Sequence, residues 1–227
     1  IDIGAESTRP NAHPVSEQQE LDRILPVIER IKQQLDVVIS IDTSTPKVIV
    51  ESALLGAGLI NDVRALQRDG ALAAAAATGL PICLMHMQGQ PNTMQQQPCY
   101  RSVVDEVQAF LQQRIDACLA VGITREQLLL DVGFGFGKTL QHNLELLRRL
   151  AEFEVFTMPL LVGMSRKSML GAILGGAPVN ERLFAGVAAA TVAVMNGASI
   201  VRTHDVKATR EAIAVAFAVK NLELTKT

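Results

Sequence analysis

The strongest constraint on the fold is a repeated pattern of short apolar runs, each followed by polar residues. Six runs end in a charged or polar residue and lead into a polar or Gly-rich turn: IDIGAEST, VVISIDTS, LINDVR, ICLMHMQ, LLLDVGFGFG and SIVRTHD. A seventh, LLVGMSRKS, reaches Ser165, Arg166 and Lys167 a few residues later. Segments of helical period separate the runs, and a strand that is buried on both faces reads as a continuous apolar run. The sequence therefore predicts an α/β fold in which crossover helices join the strands of a parallel sheet.

The number of units and their polar ends favour a TIM barrel. Seven βα units are visible, whereas a (β/α)8 barrel has eight, so we expect the first βα unit and the start of the second strand to lie upstream of Ile1. An open, doubly wound sheet of seven strands is the alternative. Active sites of barrels lie on the face that carries all strand C-terminal ends. One side chain from each unit, polar in every case except that of Met85, is expected to converge there. These residues are Asp2, Asp42, Asn61, Met85, Asp131, Lys167 and Arg202.

Helices are predicted between and after the strands from the spacing of apolar residues. Ser16 followed by Gln19 resembles a capping box and predicts where the first helix begins. The segment 187–194 is apolar on nearly every face, which is typical of a helix covered on both sides, here by the barrel and by a second subunit; a simple Ala-rich packing helix is the alternative. The predicted helices span residues 17–34, 46–55, 71–78, 103–121, 140–151, 181–196 and 209–224.

Length, charge and cysteine content indicate one domain that acts on small molecules. A chain of 227 residues with 48% apolar residues can bury one large core, so residues 1–227 are predicted to form a single domain. The net charge of −2 gives no sign of a nucleic-acid or anionic-membrane partner. The apolar stretch 184–195 is too short to span a bilayer. Three cysteines without a CxxC pair favour reduced thiols and a cytoplasmic location.

The segment Asp131-Val132-Gly133-Phe134-Gly135-Phe136-Gly137-Lys138 is the most unusual in the chain. Its three glycines alternate with two phenylalanines directly after an apolar strand, so the backbone can approach a flat ligand while aromatic rings wall its edge. The spacing matches neither a dinucleotide fingerprint nor a P-loop. A turn that merely joins a strand to a helix is the alternative.

Polar strand ends and nearby cations suggest a polar, anionic ligand. Asp42, Asn61 and Asp131 end three strands, which suits a ligand rich in N–H and C=O groups, although each residue alone is equally compatible with capping a helix. Arginine forks and an imidazolium are suited to a di- or triphosphate leaving group, and a salt bridge at a helix start is the alternative for Arg166. His86 lacks a second ligand at metal spacing and is predicted to be packed or hydrogen-bonded. The cations in question are Arg9, Arg166, Lys167, Arg202 and His204.

Seven motifs together resemble the dihydropteroate synthases of bacterial folate synthesis. They occur in the order expected for that family, from residue 1 to about residue 215. The resemblance implies a TIM barrel, usually a homodimer, that condenses 6-hydroxymethyl-7,8-dihydropterin diphosphate with p-aminobenzoate to give 7,8-dihydropteroate and diphosphate. The motifs are ESTRP, IDTS, NDVR, MHMQG, LLLDVGFGFGK, LLVGMSRKS and RTHDV.

The resemblance also implies roles for individual residues around two substrates. Lys167, Asp131 and Arg202 are the expected catalytic residues. The expected pterin-binding residues are Asp42, Asn61, Met85, Asp131, Phe136, Gly163, Lys167 and Arg202. The expected diphosphate-binding residues are Arg9, Arg202 and His204, and those expected to border p-aminobenzoate are Thr8, Pro10, Phe136, Lys167 and Ser168.

Two further implications concern a metal ion and inhibitors. The family suggests Mg²⁺ as cofactor, with an Asn in a loop of the first unit, so no metal ligand is expected in this sequence. Sulfonamides are expected to compete with p-aminobenzoate. A methyltransferase domain of the methyltetrahydrofolate type and a noncatalytic pterin-binding module remain alternatives. The SRKS and STRP motifs count against the methyltransferase, because they supply the diphosphate and p-aminobenzoate ends of the site.

Overall fold

Parallel strands alternate with helices throughout the chain, as the apolar runs predict. A computed structural model describes residues 1–7, 15–90 and 93–221. Within this part the strands are β1 (Asp2–Gly4), β2 (Ser40–Asp42), β3 (Leu59–Asp62), β4 (Ile82–Met85), β5 (Leu128–Asp131), β6 (Leu160–Val162) and β7 (Ala198–Val201). The helices are α1 (Glu17–Gln34), α2 (Pro46–Leu54), α3 (Ala71–Thr78), α4 (Val103–Ala120), α5 (Leu140–Arg148), α6 (Ser168–Ile173), α7 (Leu183–Met195) and α8 (Val206–Asn221).

The strands lie side by side in the order in which they occur along the chain. Each neighbouring pair from β1 to β7 is parallel and hydrogen-bonded. A doubly wound sheet reverses its strand order at a switch point, so the sequential order excludes that alternative. The two edge strands approach each other as well, because Arg202 Nε, just after β7, donates to Asp2 Oδ2 in β1 at 2.6 Å. The sheet is therefore curled in the manner of a TIM barrel.

Helix α1 illustrates how the local sequence produces the βα units. Ser16 accepts from the Gln19 backbone and the Gln19 side chain accepts from the Ser16 backbone, which confirms the predicted capping box. Leu21, Ile24 and Ile28 form a buried stripe that packs in one cluster with β2. Each such side chain contributes about 1.5–3 kcal/mol when it is fully buried. The apolar stripe therefore fixes which face of α1 lies on the sheet.

A larger apolar cluster packs the rest of the sheet against its helices. It includes residues of β3 to β7 together with the inner faces of α3 to α7, and Phe134 and Phe153 are among its largest fully buried side chains. Phe134 belongs to the Gly-rich segment that follows β5. The core therefore reaches up to this loop and supports it from beneath.

The predicted helices differ from the observed ones by one or two residues at the ends of α2, α4 and α7, and by more in three places. Helix α5 ends at Arg148, not near residue 151, and a 3₁₀ helix (Leu150–Phe156) follows it. Helix α8 begins at Val206, three residues before the predicted start. Helix α6 was not predicted, because its six residues span fewer than two turns and carry no readable apolar period.

Helix α7 buries one face and exposes the other. Ala189, Ala190 and Ala193 are buried, whereas Phe184 is 83% exposed. Helix α8 packs against α7 and also exposes large apolar side chains, including Val215 and Phe217. The expected burial on both sides is therefore not found within a single chain.

No helix among the described residues is long and apolar enough to cross a membrane.

Candidate active site

Four of the predicted pterin-binding residues stand at the ends of adjacent strands. Asp42 ends β2 and pairs in register with Asn61 of β3. Met85 ends β4 and pairs with Asp131, which ends β5. Asn61, Met85 and Asp131 are buried. Because parallel strands place their carboxyl ends at the same end of a barrel, these four residues lie together at that end of the sheet.

The Asp131 carboxyl group is held by the loop that follows it. Its Oδ1 atom accepts a hydrogen bond from the Gly133 backbone N–H at 2.7 Å. Burial raises the pKa of Asp131, while the positive charge of Lys167 and the Gly133 bond oppose that rise. The group is thus oriented through one oxygen, and its second oxygen can accept hydrogen bonds from N–H groups of a ligand.

The Asp42 carboxyl group titrates close to neutral pH. Its pKa is raised to about 7, first by burial and then by the negative charge of Asp2, and the positive charge of Arg202 opposes the rise. A carboxyl group with such a pKa can donate or accept a proton near physiological pH. Its coupling to Arg202 also places these two residues within electrostatic range of each other.

Lys167 lies between the Gly-rich loop and the strand ends. It stands just before α6, and its Nζ donates to the Phe134 carbonyl oxygen at 2.5 Å. The same atom lies 4.6 Å from the centroid of the Phe136 ring. Burial lowers the pKa of Lys167 to about 8, and the charge of Asp131 opposes the shift. Lys167, Phe136 and Asp131 therefore form one cluster, as predicted.

The loops after β6 and β7 are tied to each other on the same face. His204 donates its backbone N–H to Ser165 Oγ at 3.2 Å, and its Nδ1 lies 3.1 Å from the same oxygen. Arg166 forms an ion pair with Asp205, with an Nη2–Oδ1 distance of 2.7 Å. The salt-bridge interpretation of Arg166 is thus confirmed. A Cβ atom on Gly163 would lie 3.7 Å from Arg202 Cβ, so Gly163 and Arg202 are neighbours.

Asp2 is a site residue whose role the sequence did not reveal. Its Oδ1 accepts from Ser40 Oγ at 2.6 Å and from Asn61 Nδ2 at 3.3 Å, and its Oδ2 accepts from Arg202. It therefore orients two predicted ligand-binding residues at once. The sequence placed Asp2 among the strand ends but carried no signal for these partners, because Arg202 lies 200 positions away.

Two other polar networks brace the loops around the site. Glu20 of α1 is buried and accepts hydrogen bonds from Thr43 Oγ1 and, at 2.6 Å, from Thr45 Oγ1, both in the loop after β2. Arg64, after β3, donates to Ser44 Oγ at 3.0 Å and pairs with Glu6 at 3.3 Å. Neither Glu20 nor Arg64 was singled out as functional, because a Glu inside a helical stripe and a single Arg in a turn carry no pattern of their own.

Some predicted residues are not tested by this geometry. Thr8, Arg9 and Pro10 lie outside the described residues, and Ser168 is exposed at the start of α6 beside Lys167. Across residues 1–7, 15–90 and 93–221 no group of three or more His, Cys, Asp or Glu could hold a metal ion. The expected Mg²⁺ remains a prediction.

Together these residues define a polar, partly buried site on the carboxyl-end face of a curled parallel sheet. The sequence matches the pterin-binding enzyme family over residues 1–204. The chain is 55% identical to the dihydropteroate synthase of Escherichia coli K12 over 226 residues, which cover 100% of this chain and 80% of that relative.

Solved structures agree with the sequence comparison. The Yersinia pestis dihydropteroate synthase in complex with a sulfonamide drug matches with a TM-score of 0.95 and 55% identity over 97% of this chain and 80% of that one. The Xanthomonas albilineans dihydropteroate synthase with 4-aminobenzoic acid matches with a TM-score of 0.91 and 43% identity over 96% of this chain and 78% of that one. The chain belongs to the dihydropteroate synthase family and is a transferase of the folate pathway.

Proposed function

We propose that the chain joins 6-hydroxymethyl-7,8-dihydropterin diphosphate to p-aminobenzoate through a pterin cation. The observation that carries this proposal is the set of Asp42, Asn61 and Asp131 at the carboxyl ends of β2, β3 and β5, with Lys167 and Arg202 within electrostatic range. Carboxylates and a carboxamide complement the N–H and C=O edges of a pterin, and cations complement a diphosphate. The Lys167 ammonium lies between the two regions.

The pterin is held by the strand ends in this proposal. Asp131 accepts hydrogen bonds from the amidine-like edge of the ring through the oxygen that Gly133 does not contact. Asn61 forms hydrogen bonds with the neighbouring edge of the ring. Met85, Phe136, Gly163 and the face of Arg202 enclose the ring. Buried polar groups discriminate strongly against analogues that leave them unpaired.

The chemical step needs no enzyme nucleophile. The C–O bond to the diphosphate breaks with its electron pair on the leaving anion, and the resulting cation is delocalised into the electron-rich dihydropterin. The neutral aniline nitrogen then forms the new C–N bond and releases a proton to the surroundings. Asp131 stabilises the cation, while Arg202 and His204, with Arg9 outside the described residues, stabilise the departing anion.

We also propose that Mg²⁺ accompanies the diphosphate. A divalent cation on phosphate oxygens neutralises charge that develops on the leaving group. Within the described residues no group of three or more His, Cys, Asp or Glu forms a ligand cluster, so the diphosphate itself would supply oxygen ligands to the ion.

The p-aminobenzoate region is proposed to lie beside Lys167. Phe136, Lys167 and Ser168 border it, with Thr8 and Pro10 outside the described residues. The Yersinia pestis and Xanthomonas albilineans structures contain a sulfonamide drug and 4-aminobenzoic acid, respectively, which supports competition between these two ligand types here. If the bound pterin diphosphate completes this region, binding is ordered, with the pterin first.

The outward apolar face of α7 and α8 supports a homodimer. Phe184, Val215 and Phe217 expose apolar surface that a second copy would cover. The three free cysteines, Cys83, Cys99 and Cys118, support a cytoplasmic location, where thiols stay reduced.

Two measurements distinguish a synthase from a methyltransferase and from a noncatalytic pterin-binding module. Calorimetry with the pterin diphosphate is followed by an assay for diphosphate release with p-aminobenzoate, carried out on a protein that includes any upstream unit. A synthase binds the pterin and releases diphosphate only when both substrates are present. A noncatalytic module binds without release, and a methyltransferase shows no release that depends on p-aminobenzoate; either result would overturn the proposal.

A further inference from the structure

The Gly-rich loop after β5 is held by side chains rather than by a backbone ladder. Gly133, Gly135 and Gly137 have φ angles of +70°, +79° and +62°, a backbone conformation that glycine adopts without steric cost. Every carbonyl oxygen from residue 133 to residue 137 accepts from a side chain. The donors, in order along the loop, are Lys138, Lys167, Gln95, Lys138 and Tyr100.

Lys138 is the only donor in this set that serves two of the five carbonyl groups. Its Nζ lies 3.0 Å from the Gly133 oxygen, 3.0 Å from the Phe136 oxygen and 2.8 Å from His86 Nδ1. The Lys138 residue is only 3% exposed. The ammonium form of Lys138 has three donors, which match these three acceptors. Burial lowers the pKa of Lys138 well below its usual value, and the negative charge of Asp131 opposes this shift.

His86 provides the third acceptor and joins the loop to the neighbouring strand. It follows β4, and its backbone N–H donates to the Asp131 carbonyl oxygen at 2.9 Å. Burial, followed by the charge of Lys138, lowers the pKa of His86 to about 2, which keeps the ring neutral. In the tautomer that carries its proton on Nε2, Nδ1 accepts a hydrogen bond from the Lys138 ammonium. The earlier expectation of a packed, hydrogen-bonded His86 is confirmed.

The two loops are in such close contact that the bonds of Lys138 fix their relative position. A Cβ atom on Gly133 would lie 1.8 Å from the His86 carbonyl oxygen, and one on Gly137 would lie 2.4 Å from the Gln88 carbonyl oxygen. The Gly133 N–H in turn orients the Asp131 carboxylate. A shift of the loop would therefore move Asp131 and Phe136 together.

We propose that Lys138 is a positioning residue for the synthase reaction, which holds Gly133 and Phe136 against His86 so that the Asp131 carboxylate and the Phe136 ring face the pterin. This inference rests on the proposed roles of Asp131 and Phe136. Lys138 does not contact the substrates itself. The diphosphate region at Arg202 and His204 is braced by other bonds, to Asp2 and Ser165, and is independent of Lys138.

The test compares two ligands in one variant. Lys138→Met keeps the length and apolar stem of the side chain but removes all three bonds. Calorimetry measures the Kd of 6-hydroxymethylpterin and, separately, the Kd of inorganic diphosphate. We expect the pterin Kd to rise about tenfold or more and the diphosphate Kd to stay within about twofold of the parent. Gln95→Ala, which removes one exposed donor to the same loop, is the matched control and is expected to change the pterin Kd by no more than about threefold.

A second variant covers the case in which Lys138→Met does not fold. His86→Leu leaves Lys138 with two acceptors and is expected to raise the pterin Kd in the same direction, whereas His86→Gln, which retains an acceptor, is expected to restore part of the loss. An unchanged pterin Kd in a folded Lys138→Met or His86→Leu protein would overturn the proposal. An equal loss of pterin and diphosphate affinity would also overturn it, because it would indicate general destabilisation.

The outcome also separates this inference from the proposed function. If Asp131→Asn weakens pterin binding but Lys138→Met does not, the pterin site stands and the positioning role is wrong. If neither variant changes the pterin Kd, the assignment of the pterin to this loop is wrong, and the positioning role is overturned with it.

Discussion

At the scale of single residues, the site depends on ionisable groups that the fold keeps away from water. Asp131 and Lys167 are held close together. Burial raises the pKa of Asp131 and lowers that of Lys167, which favours the neutral form of each group, while their mutual attraction opposes both shifts. Their residue types and positions at strand ends could be read from the sequence. The hydrogen bonds that orient them could not be read from the sequence, because they depend on the backbone path of a loop. Asp131 accepts from the Gly133 N–H, and Lys167 donates to the Phe134 carbonyl oxygen.

Lys167 is predicted to stabilise the transition state at the junction of the two substrates. Lys167→Ala should lower kcat/KM by an amount equal to about 2–4 kcal/mol of transition-state stabilisation, because the proposed site places the Lys167 ammonium beside both the pterin and the p-aminobenzoate. Steady-state kinetics with both substrates measure this effect. Lys207→Ala, at a lysine whose side chain is 90% exposed on α8, is the control and should have no effect. An unchanged kcat/KM in the Lys167 variant would remove Lys167 from the site.

The raised pKa of Asp42 predicts a pH-dependent cost in stability. Its pKa in the folded, ligand-free protein is about 7 rather than 3.8, so the folded state binds the proton more tightly than the unfolded chain does. Stability contributed by this group is therefore lost as the pH rises from about 4 to about 7. Asp42→Asn should raise the Tm relative to the parent at pH 8 more than at pH 5. Thermal unfolding at both pH values tests this, and equal Tm differences would show that Asp42 does not titrate in this range.

At the scale of elements, strands and long helices were predictable and short segments were not. The apolar runs identified all seven described strands, because each run is short and leads into a polar or Gly-rich turn. Helix α1 was predicted with both ends correct, since a capping box and a long amphipathic stripe agree. Helix α6 and the 3₁₀ segment after α5 were missed because they have only six and seven residues, too few for a readable apolar period.

The contact between the β4 and β5 loops predicts different costs for two glycine substitutions. Gly79→Ala, at φ +66° with open space around it, should cost only the left-handed strain of about 1–2 kcal/mol. Gly133→Ala, at φ +70°, adds a collision with the His86 carbonyl and should cost at least about 3 kcal/mol. Urea unfolding of both variants measures the difference. Equal free energies of unfolding would mean that the two loops are not in close contact.

At the scale of the whole molecule, the curled sheet gathers residues from both ends of the chain. Asp2 lies in β1 and Arg202 directly follows β7, yet the two residues form an ion pair beside Asp42 and Asn61. The motifs predicted that such residues share one face, because barrel topology alone requires it. The side-chain pairs across that face, and the role of Asp2 within them, needed three-dimensional structure.

Assembly is the second property at this scale. If α7 and α8 form the dimer interface, Phe184→Glu should convert the dimer to a monomer, since burying an unpaired carboxylate in an apolar interface is costly. Sedimentation velocity measures the change. Val155→Glu, at an equally exposed apolar residue on the 3₁₀ segment after α5, should leave the assembly unchanged. A Phe184 variant that remains dimeric would place the interface elsewhere.

The most direct test of the whole account is the affinity of the pterin for Asp131→Asn. The substitution keeps the shape of the side chain but replaces one acceptor oxygen by an N–H₂ donor, which would face the donors of the pterin. Calorimetry should show binding weaker by about 1–3 kcal/mol. Asp116→Asn, on the exposed surface of α4, should bind the pterin as the parent does. Equal affinity in the Asp131 variant and the parent would contradict the claim that the converging strand ends form the pterin site.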